Sequence, residues 1–127
     1  MDPYIQLTDL LGDLAQEFVD EALIDNPGDD PNTNWASDVY PSVQARLDAA
    51  LLAVGIALPL IEPYPDAVIN AAKRVAIAML YSRRGYQGEQ NPYEKLASTA
   101  IEELKEFARR QLKLADGGSD PLVSSNA

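Results

Sequence analysis

Cysteine and histidine are both absent from this chain of 127 residues. Without cysteine there is no disulfide and no thiolate nucleophile, so a reducing compartment is permitted. Without histidine the chain lacks the commonest general base and the commonest protein ligand of metals. Only carboxylates, lysines, tyrosines and hydroxyls remain for catalysis. We therefore expect no enzyme activity, no catalytic residues, no bound metal and no cofactor.

Long apolar runs are also missing, so the sequence contains no segment of the roughly 18 apolar residues that would span a membrane. The opening residues Met1-Asp2-Pro3-Tyr4 show neither the basic nor the apolar region of a signal peptide, and secretion is not expected. Hydrophobic residues make up 46% of the chain, which is ordinary for a globular protein. The length predicts one domain with a single core, covering residues 1–115 and followed by a flexible C-terminal tail, residues 116–127.

Positive charge is scarce in the first half of the chain, which accounts for the whole net charge of -10. Residues 1–64 contain 12 acidic side chains and one basic side chain, Arg46, whereas residues 65–127 contain 8 acidic and 9 basic ones. The acidic half repels the phosphates of nucleic acid. Solubility alone explains such a charge in many proteins. The alternative is an acidic surface that meets a basic partner or lines a passage for a polyanion.

Hydrophobic periodicity predicts four helices and therefore an all-α fold, a small bundle. The third predicted helix is apolar almost all round and is expected to be central. The fourth has a clear start signal, because Asn, Pro and Glu occupy the N-cap, first and third helical positions. The predicted helices run from about Thr8 to Leu23, from Ser37 or Asp38 to Val54, from Pro65 or Asp66 to Arg83, and from the cap Asn91 to about Leu114.

Residues 25–36 between the first two predicted helices are rich in acids, asparagine and proline. A calcium loop of the EF-hand type needs oxygen ligands at its first, third and fifth positions, Gly at the sixth and Glu at the twelfth. Counting from Asp25, the third position is Pro27, which has no side-chain oxygen. The sixth position is Asp30 instead of Gly, and the twelfth is Ala36 instead of Glu. The sequence therefore predicts a plain solvated loop, with Trp35 anchoring its end on the core.

Residues 55–65, which we call the strap, join the second and third predicted helices. They contain three prolines in seven residues, Pro59, Pro63 and Pro65, which exclude continuous helix and a central strand. The strap is also apolar, whereas flexible linkers are seldom so. An extended, stiff apolar segment has to cover a surface, and the sequence leaves open whether that surface is the chain's own bundle or a neighbouring subunit.

Several short motifs follow one another between residues 4 and 115. In chain order they are Tyr4, Thr8-Asp9-Leu10, the loop 25–34, Leu58-Pro59-Leu60, Pro63, Pro65, Leu80-Tyr81-Ser82-Arg83-Arg84-Gly85 and Tyr93-Glu94-Lys95-Leu96-Ala97. Their order and spacing resemble the Mu-like prophage family of small head–tail connector proteins, also described as neck adaptor or head-completion proteins. The chain departs from the family pattern in its longer, proline-richer acidic loop and in Val54-Gly55-Ile56-Ala57, where the family usually has Arg-Tyr before Leu-Pro-Leu.

This resemblance implies a structural virion protein without enzymatic activity. Copies of the chain would form a ring, expected to be dodecameric in the virion, below the portal protein. The ring would extend the DNA channel and offer a docking face to a tail-side neck protein. Genomic DNA would pass through without sequence-specific binding, and no membrane is involved. The expected location is the virion neck, reached from the host cytoplasm during assembly.

Nine residues are candidates for the subunit or partner interface. Arg83 and Arg84 either end a helix in solvent or pair with the acidic residues 25–38 of the next subunit. The alternative function is a small acidic helical binding module, a DNA mimic or a regulator of a basic partner. An enzyme that uses carboxylates alone is disfavoured, because paired catalytic carboxylates need burial to separate their pKa values. The candidate interface residues are Leu58, Pro59, Leu60, Pro63, Tyr64, Arg83, Arg84, Leu122 and Val123.

Overall fold

The computed structural model of the protein describes residues 2–115, and this part of the chain is an all-α bundle without strands. The predicted fold class is therefore confirmed. The predicted tail, residues 116–127, lies outside the described residues. The helices are α1 (Gln16–Leu23), α2 (residues 31–54), α3 (Asp66–Arg83) and α4 (Glu94–Ala115), with short 3-10 helices at Leu7–Leu10 and Gly88–Gln90.

The first predicted helix, from about Thr8 to Leu23, is wrong in its first half. The chain forms the 3-10 helix Leu7–Leu10, then a turn, and α1 begins only at Gln16. Gly12 lies in this turn, and glycine is among the weakest helix formers. The interruption changes which side chains face inward. Leu14 is buried, whereas Leu11 is 38% exposed.

Helix α2 begins earlier than predicted, because the second half of the predicted loop is helical. It consists of the α-helical turn Pro31–Asn34, the π-helix Trp35–Val39 and the α-helix Tyr40–Val54. The carboxylate of Asp30 accepts a hydrogen bond of 2.9 Å from the backbone N–H of Asn32, so Asp30 is the N-cap. Proline at the first helical position fits, because its missing N–H has no helical partner there.

Trp35 is buried in the core, as predicted, but it lies on a helix rather than at the end of a loop. The π-helix that it opens ends at Val39, two residues before Pro41. Proline cannot donate a backbone hydrogen bond, and its ring clashes with the carbonyl four residues earlier in an α-helix. The wider turn of the π-helix lets the helical segment continue through Pro41 into the longer part of α2.

Helix α3 matches its prediction and packs against each of the other three helices. Its inward side consists mostly of small residues, which allow close approach of the neighbouring helices. After Arg84 the chain turns at Gly85, whose φ of 99° is in the left-handed region that favours glycine. The fully or nearly fully buried residues of α3 are Val68, Ala71, Ala72, Val75, Ala76, Ile77, Ala78 and Leu80.

Asn91 joins α3 to the start of α4 and is a buried polar side chain, 6% exposed. Its side-chain nitrogen donates a hydrogen bond of 2.8 Å to the carbonyl of Ala78 on α3. Its side-chain oxygen accepts one of 3.0 Å from the backbone N–H of Tyr93. Asn91 therefore caps the turn at residues 92–93, and α4 begins at Glu94 instead of directly after Asn91 as predicted. The bond to Ala78 also fixes the position of α4 along α3. None of the helices in residues 2–115 is both long and apolar enough to cross a bilayer.

Candidate interface surfaces

The strap covers its own bundle with one side and faces outward with the other. Leu58, Leu60 and Tyr64 are partly buried and pack against the hydrophobic core. Pro59 and Pro63 are exposed. Ile61, at the middle of the strap, is 87% exposed. Of the two surfaces that the sequence left open, the structure identifies the chain's own core as one that the strap covers, while Ile61 remains available for another contact.

Tyr4 of the N-terminal segment ties the strap to α2. The hydroxyl of Tyr64 donates a hydrogen bond of 2.6 Å to the carbonyl of Asp2, and the rings of Tyr4 and Tyr64 form a T-shaped pair with centroids 5.0 Å apart. The backbone N–H of Tyr4 donates a hydrogen bond of 2.6 Å to the hydroxyl of Tyr40. The hydroxyl of Tyr4 donates a second hydrogen bond to the carboxylate of Asp48. Burial and the carboxylate of Asp48 raise the pKa of Tyr4, so this hydroxyl remains a donor.

Two carboxyl groups meet at the exposed edge of the strap. A hydrogen bond with Asp2 raises the pKa of Glu62, with smaller contributions from desolvation and from the charge of Asp2. Both side chains line a shallow pocket together with Pro59, Leu60 and Tyr64. Protonation of Glu62 therefore changes the charge beside the strap.

Arg83 binds two groups of the same chain at the opposite end of α3. Its Nε donates a hydrogen bond of 2.7 Å to the carbonyl of Ala22, which lies in α1. Its guanidinium also donates to both oxygens of Asp25, at 2.9 and 2.8 Å. The predicted acidic partner from residues 25–38 is therefore present, but it belongs to the same chain instead of the next subunit. The packing of α1 against α3 brings the two residues together.

Arg84 also pairs within the chain, with Glu21 of α1. Its guanidinium lies 5.3 Å from the centre of the Phe18 ring, which is within the range of a cation–π interaction. Phe18 belongs to an aromatic cluster, because its ring is 4.6 Å from that of Tyr81. Tyr81 in turn contacts Tyr86 and Tyr93. We call this surface, with Arg83 and Arg84, the arginine end.

A third ion pair joins α3 to the N-terminal segment, between Lys73 and Asp13 at 3.9 Å. Three of the twelve carboxylates of residues 1–64 thus pair with cations of the second half, those of Asp13, Glu21 and Asp25. Within residues 2–115, the other nine form no ion pair with lysine or arginine. The acid surplus predicted from the sequence is therefore reduced along the side of α1 that faces α3, and it persists elsewhere.

A single carboxylate organises the acidic loop. Asp29 accepts hydrogen bonds from the backbone N–H groups of Asn26 and Asp25, at 3.0 and 3.1 Å, and from the side chain of Asn34 at 3.1 Å. The bond from Asn26 is the main cause that lowers the pKa of Asp29, followed by that from Asn34. In the described part of the chain no three acidic side chains are grouped so that they could hold a metal ion.

The candidate residues fall into two separate surfaces. The strap leads into the first turn of α3 and the arginines follow its last turn, so the 18 residues of α3 place the two surfaces about 27 Å apart. The last turns of α4 lie at the strap end, because Phe107 and Gln111 line the same cavity as Leu60. Leu122 and Val123 lie outside the described residues, although the chain that carries them leaves α4 at this end.

Tyr4 and Tyr40 were not predicted as part of any site, whereas Tyr64 was. The aromatic pairing of Tyr4 with Tyr64 and the bond to Asp48 join residues 60 and 44 positions apart, and no local pattern signals such contacts.

No protein-family model, curated protein or solved structure matches this chain. Its function is therefore inferred from its surfaces, its charges and the family resemblance of its sequence.

Proposed function

We propose that the protein is a structural virion protein, a head–tail connector of the neck-adaptor type. Copies assemble into a ring below the portal, extend the DNA channel and provide a docking face for a tail-side protein. The observation that carries this proposal is the presence of two chemically different surfaces at opposite ends of α3. A closed ring requires this arrangement, because each subunit contacts its neighbours through two different, complementary faces.

The strap end supplies the apolar member of the proposed pair. Ile61 is 87% exposed, and Leu52 in the last turn of α2 is 59% exposed. Large aliphatic side chains at such exposure gain free energy when a partner covers them. The arginine end supplies the second face. Tyr86 is 45% exposed there, next to a cluster of aromatic rings and ion pairs.

The acidic surplus supports the DNA-channel part of the proposal. Nine carboxylates of the first half have no lysine or arginine partner within residues 2–115. A surface of this charge offers DNA phosphates few cations to bind, and the duplex slides past it. Replacing these acids by lysine is expected to slow DNA passage while the fold is retained. Unchanged infectivity with an all-lysine lining contradicts the channel role.

Ile61→Glu tests the ring directly. We expect the variant to fold like the wild type, because the side chain is exposed and contributes little to the core, but to lose ring formation on the portal. Electron microscopy of the protein mixed with portal is the measurement, and a ring with a central hole is the expected wild-type result. Leu96→Glu is the matched control, since Leu96 is a 44% exposed side chain of α4. Normal rings from Ile61→Glu contradict the assignment of the strap to the interface.

The same unpaired carboxylates also favour a second function, a small acidic binding module that mimics DNA or regulates a basic partner. Such a module works as a monomer or dimer and competes with DNA for a DNA-binding protein. It leaves the exposed Ile61 without a role. Size measurement in solution and with portal separates the two proposals. A ring supports the connector, and a stable monomer or dimer that blocks a DNA-binding protein supports the mimic.

A further inference from the structure

An apolar cavity of about 160 Å³ lies between the strap, α3 and the last turns of α4. Its polar lining residue is Gln111, which is exposed and marks the opening to the surface. A cavity of roughly 150 Å³ with aliphatic and aromatic walls takes up an apolar group the size of benzene. The volume therefore suits one leucine side chain. The main apolar walls are Leu51, Ile56, Leu60, Val68 and Phe107.

The chain beyond α4 carries a matching apolar pair, Leu122-Val123, in an otherwise small and polar segment. Leu122 is seven residues beyond Ala115, the last residue of α4, whereas Gln111 is one helical turn before it. Seven residues reach at most about 23 Å when extended, and the way back to Gln111 is only about 6 Å along the helix. Glycines at 117 and 118 permit the reversal of direction.

Charge favours the same return path. Arg110 and Lys113 are exposed on the last turns of α4 and form no ion pair with any residue of the described chain. Asp116 and Asp120 precede Leu122. Lys113 shares the face of Arg109, one turn further along α4, whereas Arg110 lies next to Gln111. An acidic segment that folds back to the cavity opening therefore passes Arg110, and the attraction adds to the burial of the leucine.

We propose that in the free subunit residues 121–124 of this same chain dock over the cavity, with the Leu122 side chain inside it. The short connection gives the segment an effective concentration of the order of millimolar at its own cavity, which favours the chain's own tail over that of another copy. The docked Leu122 side chain fills the apolar cavity beside the strap. This docking does not depend on the proposed neck role.

Engineered disulfides test the docking, and the absence of native cysteine makes the readout clean. Gln111→Cys combined with Ser124→Cys places one thiol at the cavity opening and one beside the docked pair. We expect an intramolecular disulfide to form about tenfold faster than in the control, since docking raises the local concentration. The control combines Arg109→Cys with Ser124→Cys, because Arg109 is exposed on the opposite side of α4 at nearly the same distance from the tail.

Equal rates for the two pairs overturn the proposal. Disulfide-linked dimers that dominate at micromolar protein also overturn it, because they show that another copy supplies the segment. Adding Leu122→Ser and Val123→Ser to the Gln111 pair is expected to reduce its rate to that of the control. A rate unchanged by these two serines means that the apolar pair is not the docked group, and it overturns the proposal as well.

Discussion

Asn91→Asp tests how α3 and α4, the most extensively packed pair of helices, are joined. The substitution exchanges a single hydrogen-bond donor for an acceptor without a change of shape. The side-chain oxygen that accepts from the Tyr93 N–H is retained. The nitrogen that donates to the Ala78 carbonyl at 2.8 Å becomes a second carboxylate oxygen. At neutral pH two oxygen acceptors then face each other at a position that is only 6% exposed.

The expected loss can be estimated from these contacts. A buried carbonyl left facing an unpaired group costs about 1–3 kcal/mol, and more when the group is charged. The retained cap and the favourable interaction of the carboxylate with the N-terminal end of the helix dipole reduce this cost by a few tenths of a kcal/mol. We therefore expect Asn91→Asp to lower the free energy of unfolding by about 3 kcal/mol at pH 7. Asn91→Ala, which loses both the cap and the bond between helices, is expected to lose about 2 kcal/mol.

The loss caused by Asn91→Asp is expected to depend on pH. Burial beside a carbonyl raises the pKa of the introduced carboxyl above its value in the unfolded chain. The native state then binds the proton more tightly, so the deficit is complete above the native-state pKa and shrinks as the pH falls towards the unfolded-state pKa. A protonated carboxyl also donates to Ala78. Near pH 4.5 we expect the deficit to fall to about 1 kcal/mol.

Urea unfolding measures this, with far-UV circular dichroism and Trp35 fluorescence as two probes of one transition. The wild type at each pH is the reference, and Asn91→Ala is the control whose deficit does not titrate. A variant within about 0.5 kcal/mol of the wild type at pH 7 refutes the role assigned to the bond between Asn91 and Ala78. A deficit of equal size at both pH values refutes the reasoning about the buried carboxylate.

Three further perturbations follow from the strap and the arginine end. Gly55→Ala is expected to destabilise the fold by about 1–2 kcal/mol, because φ at Gly55 is 105° and a side chain is strained there; thermal or urea unfolding measures it. Arg83→Met removes the donor to Ala22 and the pair with Asp25, and we expect a loss of about 2 kcal/mol in the isolated subunit. Asp2→Ala is expected to lower the pKa of Glu62, because it removes the hydrogen bond that raises this pKa. Carbon-13 NMR titration of the Glu62 carboxyl measures the change.

Each of these changes has a control or a contrary result. Gly12→Ala has open space around the new methyl group, and it is expected to stay within about 0.5 kcal/mol of the wild type. Lys95→Met removes an exposed cation that forms no ion pair within the described chain, and it is expected to be similarly neutral. For the carboxyl pair, stability falls as the pH rises through the pKa of Glu62, since the raised pKa favours the protonated native state. An unchanged titration without Asp2 contradicts their hydrogen bond.

Helix α3 could be predicted within a residue of its ends because its boundaries are written locally, with prolines before Asp66 and Gly85 after Arg84. The start of the first helix could not be predicted, because the spacing of the leucines before Gln16 is compatible with a helix and with a turn. Only the packing of the core determines which of these leucines are buried. The start of α2 was missed although its signal was present. Asp30-Pro31 is an N-cap followed by proline at the first helical position, but the surrounding composition indicated a loop.

The candidate surfaces were predictable only in part. The sequence suggested either a solvated end for Arg83 or a pair with residues 25–38 of the next subunit, and its partner Asp25 lies within that range but in the same chain. The sequence could not show whether this ion pair forms within one chain or between two subunits, because the same charges attract in either arrangement. Only the packing of α1 on α3 determines that Arg83 meets Asp25 of its own chain. The apolar character of the strap predicted that it covers a surface, yet the inward turn of Leu60 and the outward turn of Ile61 depend on the shape of the bundle.

The pairing of the α3 cations inside the chain has a consequence for association in salt. Since Arg83 and Arg84 are already neutralised by Asp25 and Glu21, a neighbour that docks at the arginine end meets little net charge. Mobile ions screen attraction between separated exposed charges, and here little such attraction is left to screen. In the proposed ring, association through these surfaces would be governed by the covering of aromatic and aliphatic groups, and it would persist at ionic strengths that dissociate complexes held by opposite charges.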